Sequence, residues 1–133
     1  MDRQGGAVAC VFTANNLFGT GRVAAGTGIL LAAAPGAGVP SPPLAALMIH
    51  GPGGRGLRAV ATGSGQAAAP EAAALPLAAF TRGVTAGDAV SVAPEPARSL
   101  LLGCRGPVVN AANSCAAHAD PRGSGLGLLV GVP

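Results

Sequence analysis

The residues able to do chemistry in this sequence are few and scattered. The tetrad Gly63-Ser64-Gly65-Gln66 is the most suggestive. A strand that ends in Gly-Ser-Gly and leads into a helix turns backbone N–H groups toward one point. That suits an anion or an oxyanion. The same residues would also serve as a plain strand-to-helix turn, and with no Lys after them they are no P-loop. Asn15 and Asn16 can hold a ligand through their amides or simply turn the chain, which is the commoner use. Thr13 adds a hydroxyl just before them. Asp120-Pro121-Arg122 reads as an ion-pair clamp or, more often, as an ordinary turn. Thr13, Ser64 and Cys10 are nucleophiles by type, but no base is placed for any of them. No Ser/His/acid arrangement can be argued from spacing, and no two carboxylates are close in sequence.

His50 and His118 stand alone, and none of the three cysteines (Cys10, Cys104, Cys115) sits in a C-x-x-C motif. A zinc site is therefore not expected, and nothing else in the sequence calls for a cofactor. Three cysteines cannot all pair within one chain. Small buried apolar thiols are the simplest reading for all three. Cys104 and Cys115 could pair if their strands were neighbours, which sequence alone does not settle.

Composition narrows the function classes. All eight basic residues are Arg, the net charge is +3, and the arginines form no cluster. With three Phe and no Tyr or Trp there is little to stack on bases, so nucleic-acid binding is poorly supported. No apolar run approaches the roughly 20 residues of a membrane span. MDRQGGAV is not a signal peptide, so the sequence as written reads as cytoplasmic. Half the residues are apolar, but many are alanine, which buries little area per residue. The expectation is a single domain over 1–133 with a modest core and marginal stability on its own.

The elements that must position these residues read as α+β: mostly antiparallel strands with one or two helices on one face. AVACVFTA at 7–14 has strand composition, and Asn15-Asn16 ends it. Residues 17–24 form a next strand interrupted at Gly19-Thr20-Gly21, and the second GTG at 26–28 makes a hairpin of the pair. Residues 28–34 are apolar and of ambiguous type. PGAGVPSPP at 35–43 is loop. LAALMIH at 44–50 and LRAVAT at 57–62 read as a strand hairpin around GPGGRG. Residues 66–82 read as a helix, with Pro70 and Glu71 in its first turn and Pro76 as a kink. Thr85 to Asp88 cap a short second helix. Residues 100–102 and 108–117 are strand candidates around a Gly-Pro turn, and the tail turns again at Asp120-Pro121.

Read together, three blocks resemble, in order, the small C-terminal subunit of the γ-glutamyltransferase family. DRQGGAVACVFTANNLFGTGRVAAGTGILL at 2–31 carries an acidic-Gly turn and an alternating strand. T-x-N, F-G-[ST]-G and G-[ST]-G-I-L-L follow in it. GSGQ at 63–66 sits where that family has its glycine-rich oxyanion turn, and ADPRG at 119–123 is similar to its closing D-P-R motif. The resemblance implies part of an N-terminal-nucleophile hydrolase sandwich. It also implies γ-glutamyl transfer or hydrolysis on glutathione-like small molecules. In such enzymes a threonine freed by self-cleavage attacks the γ-glutamyl carbonyl, with its own amine or a nearby group as base. On the same ground Thr13 would hydrogen-bond the nucleophile and Asn15 would hold the substrate's α-amino end. Gly65 and Gln66 would form the oxyanion hole, in a turn one residue shorter than usual.

The departures are as informative. The nucleophilic threonine would lie a few residues before Asp2, where this sequence begins with Met1, so the expectation is that it is missing. The large subunit, with its arginine for the substrate carboxylate, is not in these residues either. Ala32, Ala33, Ala34 and Ala37 stand where the family carries Asn, Gln and Asp groups, and Ala45 and Ala46 stand for its paired serines. The resulting expectation is a fragment inactive alone, with a partner chain carrying the large-subunit half. Family members are often periplasmic or secreted, with the export signal on that other half. The alternative is a non-catalytic interaction or structural domain that keeps part of the fold.

Overall fold

The structure, a computed structural model, describes residues 6–34, 42–54, 56–108 and 114–130. Its centre is a four-stranded antiparallel sheet in the order β1-β2-β3-β4, with two helices, so the chain is α+β. The strands are β1 (Leu44–His50), β2 (Leu57–Ser64), β3 (Arg98–Val108) and β4 (Cys115–Ala119). β1 and β2 form the expected hairpin, closed where Gly51 and Gly56 share a backbone hydrogen bond and Gly53 and Gly54 take the left-handed backbone that glycine tolerates.

Burial along β2 alternates. Leu57, Ala59, Ala61 and Gly63 face inward, and Arg58, Val60, Thr62 and Ser64 face the other way. Over the inward side lies helix α1 (Ala69–Thr81). Leu77 and Ala79 of α1 meet Ala59, Ala61 and Leu101 there, together with Ala86, Ala89 and Val90. Gly63 is where α1 comes closest, since a side chain there would run into the backbone of Ala69. Among the described residues, ten of the fifteen buried apolar ones are alanine. The close helix–sheet approach they allow comes with little area buried per residue.

Pro70 and Glu71 occupy the first turn of α1, where a missing N–H costs nothing and an acid favours the helix dipole. The helix runs unbroken through Pro76, whose ring is buried against the core. Thr85 caps α2 (Ala86–Ala89) by accepting from the Asp88 N–H at 3.2 Å, and its hydroxyl donates to Asp88 Oδ2 at 2.7 Å.

Three expectations are corrected. First, residues 100–102 and 108–117 are not two strands around a Gly-Pro turn. One strand, β3, runs through Gly106-Pro107, absorbing the extra residues as a bulge opposite Arg58 between the pairs Leu57–Val108 and Ala59–Gly103. Cys104 stands directly opposite Cys115 of β4, and the part of the expected second strand at 109–113 lies outside the described residues. Second, the cysteines are not three buried free thiols: Cys104 and Cys115 are disulfide-bonded, and Cys10 is free and exposed. Third, residues 7–14 and 17–24 are not ladder strands. Residues 7–13 alternate between half-buried and exposed, as a strand would, but without a ladder partner among the described residues. The two GTG triplets do form a hairpin, held by Thr20 N–H to Leu31 O and Leu31 N–H to Arg22 O, with one bridge at Val23–Leu30.

That N-terminal arm is unusually exposed for its composition. Val8, Phe12, Leu17 and Phe18 keep 84%, 87%, 90% and 73% of their surface. The molecule exposes 8379 Å², about a third more than the ~6200 Å² expected of a compact monomer of this mass.

Candidate active site frame

At one end of the sheet β1 begins, β2 ends, β3 begins and β4 ends. A cavity of about 330 Å³ opens there. Its walls draw on all three sequence blocks: Val11 and Phe12 from the arm, Gly63 and Ser64 from the end of β2, Asp120 and Gly123 from the tail. Phe12 and Gly63 are 51 positions apart and Ser64 and Asp120 are 56 apart; the antiparallel order of the sheet brings the last two blocks together, and the arm lies against them without joining the sheet.

None of the four predicted site residues, Thr13, Asn15, Gly65 and Gln66, is on the wall of this cavity; each lies one to three positions in sequence from a residue that is. Thr13 follows Phe12, and its Oγ1 accepts from the Asn15 N–H at 3.0 Å. The Asn15 amide nitrogen donates to Ala33 O at 2.6 Å, tying the arm to the end of the GTG hairpin, while Asn15 Oδ1 is buried with no hydrogen-bond partner. Gly65 and Gln66 follow Ser64 at the turn into α1, with φ of 119° and 54°. Among the described residues, Asn15 (φ 63°) and Gln66 are the non-glycine residues with left-handed backbone. Such strain persists where surrounding structure imposes it, and it collects at functional sites.

Asp120-Pro121-Arg122 is both a turn and a clamp. Gly123 N–H closes the turn on Asp120 O at 3.0 Å. Arg122 Nε donates to Asp120 Oδ1 at 2.9 Å and its Nη2 donates to Oδ2, a two-pronged pair. The same guanidinium reaches Ala93 O at 2.7 Å and Glu95 Oε1 at 3.1 Å, and Glu95 also takes Arg98 at 2.8 Å. Asp120 itself is 2% exposed. The Arg122 hydrogen bonds hold its carboxyl below the ordinary carboxylate value, outweighing the opposing effect of burial.

Sequence reading missed Ser99. It is buried, its Oγ has no hydrogen-bond partner, and it lines the cavity opposite Gly63. The available signal was its place two residues before Leu101, on the same inward side of β3, where a hydroxyl needs a partner. Among the described residues no histidine lines the cavity, and the carboxylate on its wall, Asp120, is taken up by Arg122. Among the described residues no three His, Cys, Asp or Glu side chains gather to hold a metal, and no helix is long and apolar enough to cross a membrane. No protein-family model matches the chain, and neither does any curated protein.

Proposed function

We propose that this chain is the small-subunit half of a γ-glutamyltransferase-like enzyme of the N-terminal-nucleophile type. It frames a γ-glutamyl pocket, and the nucleophile and the second half of the sandwich come from outside these residues. The observation that carries this reading is the convergence of the three motif blocks on one cavity.

Two features add support. The unpartnered Oδ1 of Asn15 is an acceptor suited to a substrate ammonium, the role the resemblance assigns to that residue. The exposed arm, with strand-like alternation and no ladder, is what one strand of a second sheet would look like without its neighbours. In this reading Thr13 supports the nucleophile, and Gly65 and Gln66 present N–H groups to the oxyanion. The clamp of Asp120 and Arg122 holds the pocket wall. The exposed arm equally suits a non-catalytic interaction domain.

The test is association. Co-expressed with a γ-glutamyltransferase large-subunit chain extended through its nucleophilic threonine, the protein is expected to elute in size-exclusion chromatography as a one-to-one complex. A well-folded monomer that ignores that chain would overturn the reading.

A further inference from the structure

A second, larger cavity of about 590 Å³ lies at the other end of β3, away from the γ-glutamyl frame. Its lining includes Arg58, Arg105, His118 and both halves of the Cys104–Cys115 bridge. Among the described residues no Asp or Glu lines it. Neither guanidinium has an acidic or hydrogen-bonding partner among the described residues, in contrast to Arg98 and Arg122. The bulge in β3 produces this arrangement. It sets Arg58 opposite the stretch between Gly103 and Val108, and both arginines line the same cavity as the disulfide. Cys104 is fully buried, whereas Cys115 is half-buried, with Ser114 Oγ 3.9 Å from its sulfur.

We propose that this cavity admits a small anionic thiol, one carrying a carboxylate, which opens the Cys104–Cys115 bridge by exchange. The thiolate attacks Cys115 Sγ, on the less buried of the two cysteines. A new S–S bond forms between them, the Cys115–Cys104 bond breaks, and its electron pair leaves on Cys104 Sγ as a thiolate. A second thiolate of the same kind attacks the mixed disulfide. It releases the symmetrical small-molecule disulfide and leaves Cys115 as a thiolate. Two thiols are thereby oxidised and one protein disulfide reduced. The arginines act twice. They raise the local concentration of an anionic attacker, and they stabilise the departing thiolate, which speeds its departure. Opening the bridge frees β4 from its covalent tie to β3.

The test uses a Cys10→Ser background, so that the exposed thiol takes no part. The purified protein is treated at low salt with 3-mercaptopropionate or with cysteamine, and quenched samples are read by intact mass for the mixed disulfide. Each rate is divided by that thiol's rate on an uncharged small disulfide. The expected result is a normalised preference for the anionic thiol of roughly tenfold or more, with the adduct on Cys115. That preference should shrink as salt is added to the Cys10→Ser protein, and should vanish when Arg58→Gln and Arg105→Gln are added to it. Equal normalised rates, a preference indifferent to salt, or a preference retained in the double variant would each overturn the proposal. So would a denatured wild-type protein that titrates with three free thiols. The salt series needs no variant, so a misfolded double mutant does not protect the idea. None of these readouts depends on γ-glutamyl chemistry.

Discussion

Arg122 grips Asp120 with two nitrogens while also reaching Ala93 O and Glu95, so one side chain fastens the tail to the loop before β3. Asp120 is buried and Arg122 is about a third exposed. The pair therefore matters mainly for keeping a buried carboxylate satisfied. Asp120→Asn is expected to cost about 2 kcal/mol at neutral pH, the range for hydrogen bonds to a charged group. The sign with pH follows from the lowered pKa. The pair's contribution is complete above the ordinary carboxylate value, and it is lost as pH falls through the lower, folded value. Urea unfolding of both proteins from neutral to acid pH checks this: the wild-type advantage should close on the acid side.

Gly65 takes φ of 119°, and a side chain there would run into the backbone of Ala97. Gly65→Ala is expected to lower stability by about 2–3 kcal/mol, from clash and backbone strain together. It should also displace the turn that carries Gln66. Chemical denaturation gives the first effect, and the amide shifts of residues 64–67 give the second.

The disulfide closes a loop of sequence separation 11. Replacing both Cys104 and Cys115 by Ser is expected to cost about 3 kcal/mol by loop-closure entropy. Thermal unfolding of the oxidised protein and the double variant would show it.

Phe12 and Phe18 are largely exposed on the arm, whereas Phe80 is half-buried against the core. Brief chymotrypsin treatment of the chain alone is therefore expected to cut after Phe12 and Phe18 well before Phe80. Both early cuts should slow when the large-subunit half is bound. Mass spectrometry of the fragments reads this directly.

Some of this was legible in the sequence for physical reasons. The β1–β2 hairpin announced itself through two apolar runs around a glycine-rich turn. The start of α1 was marked by Pro70 and Glu71, and Thr85 was recognisable as a cap. What stayed hidden depended on partners distant in sequence. Residues 7–14 have strand composition, but a ladder needs a neighbour that composition cannot supply. The pairing of Cys104 with Cys115 follows from the register of β3 and β4, which the bulge at Arg58 shifts. Ser99 became noticeable only when the sheet placed its hydroxyl inside without a partner. The clamp and the turn at Asp120 had looked like rival readings, and the structure contains both.

Turnover of a chromogenic γ-glutamyl anilide tests the central claim most directly. The account predicts no turnover by the chain alone. It predicts measurable turnover once the chain is joined to a large-subunit half that brings the threonine, with a fall of at least about tenfold in the Asn15→Ala variant if one ammonium contact is lost. Turnover by the chain alone that disappears in Ser64→Ala would contradict it, as would a stable assembled complex that never releases the anilide.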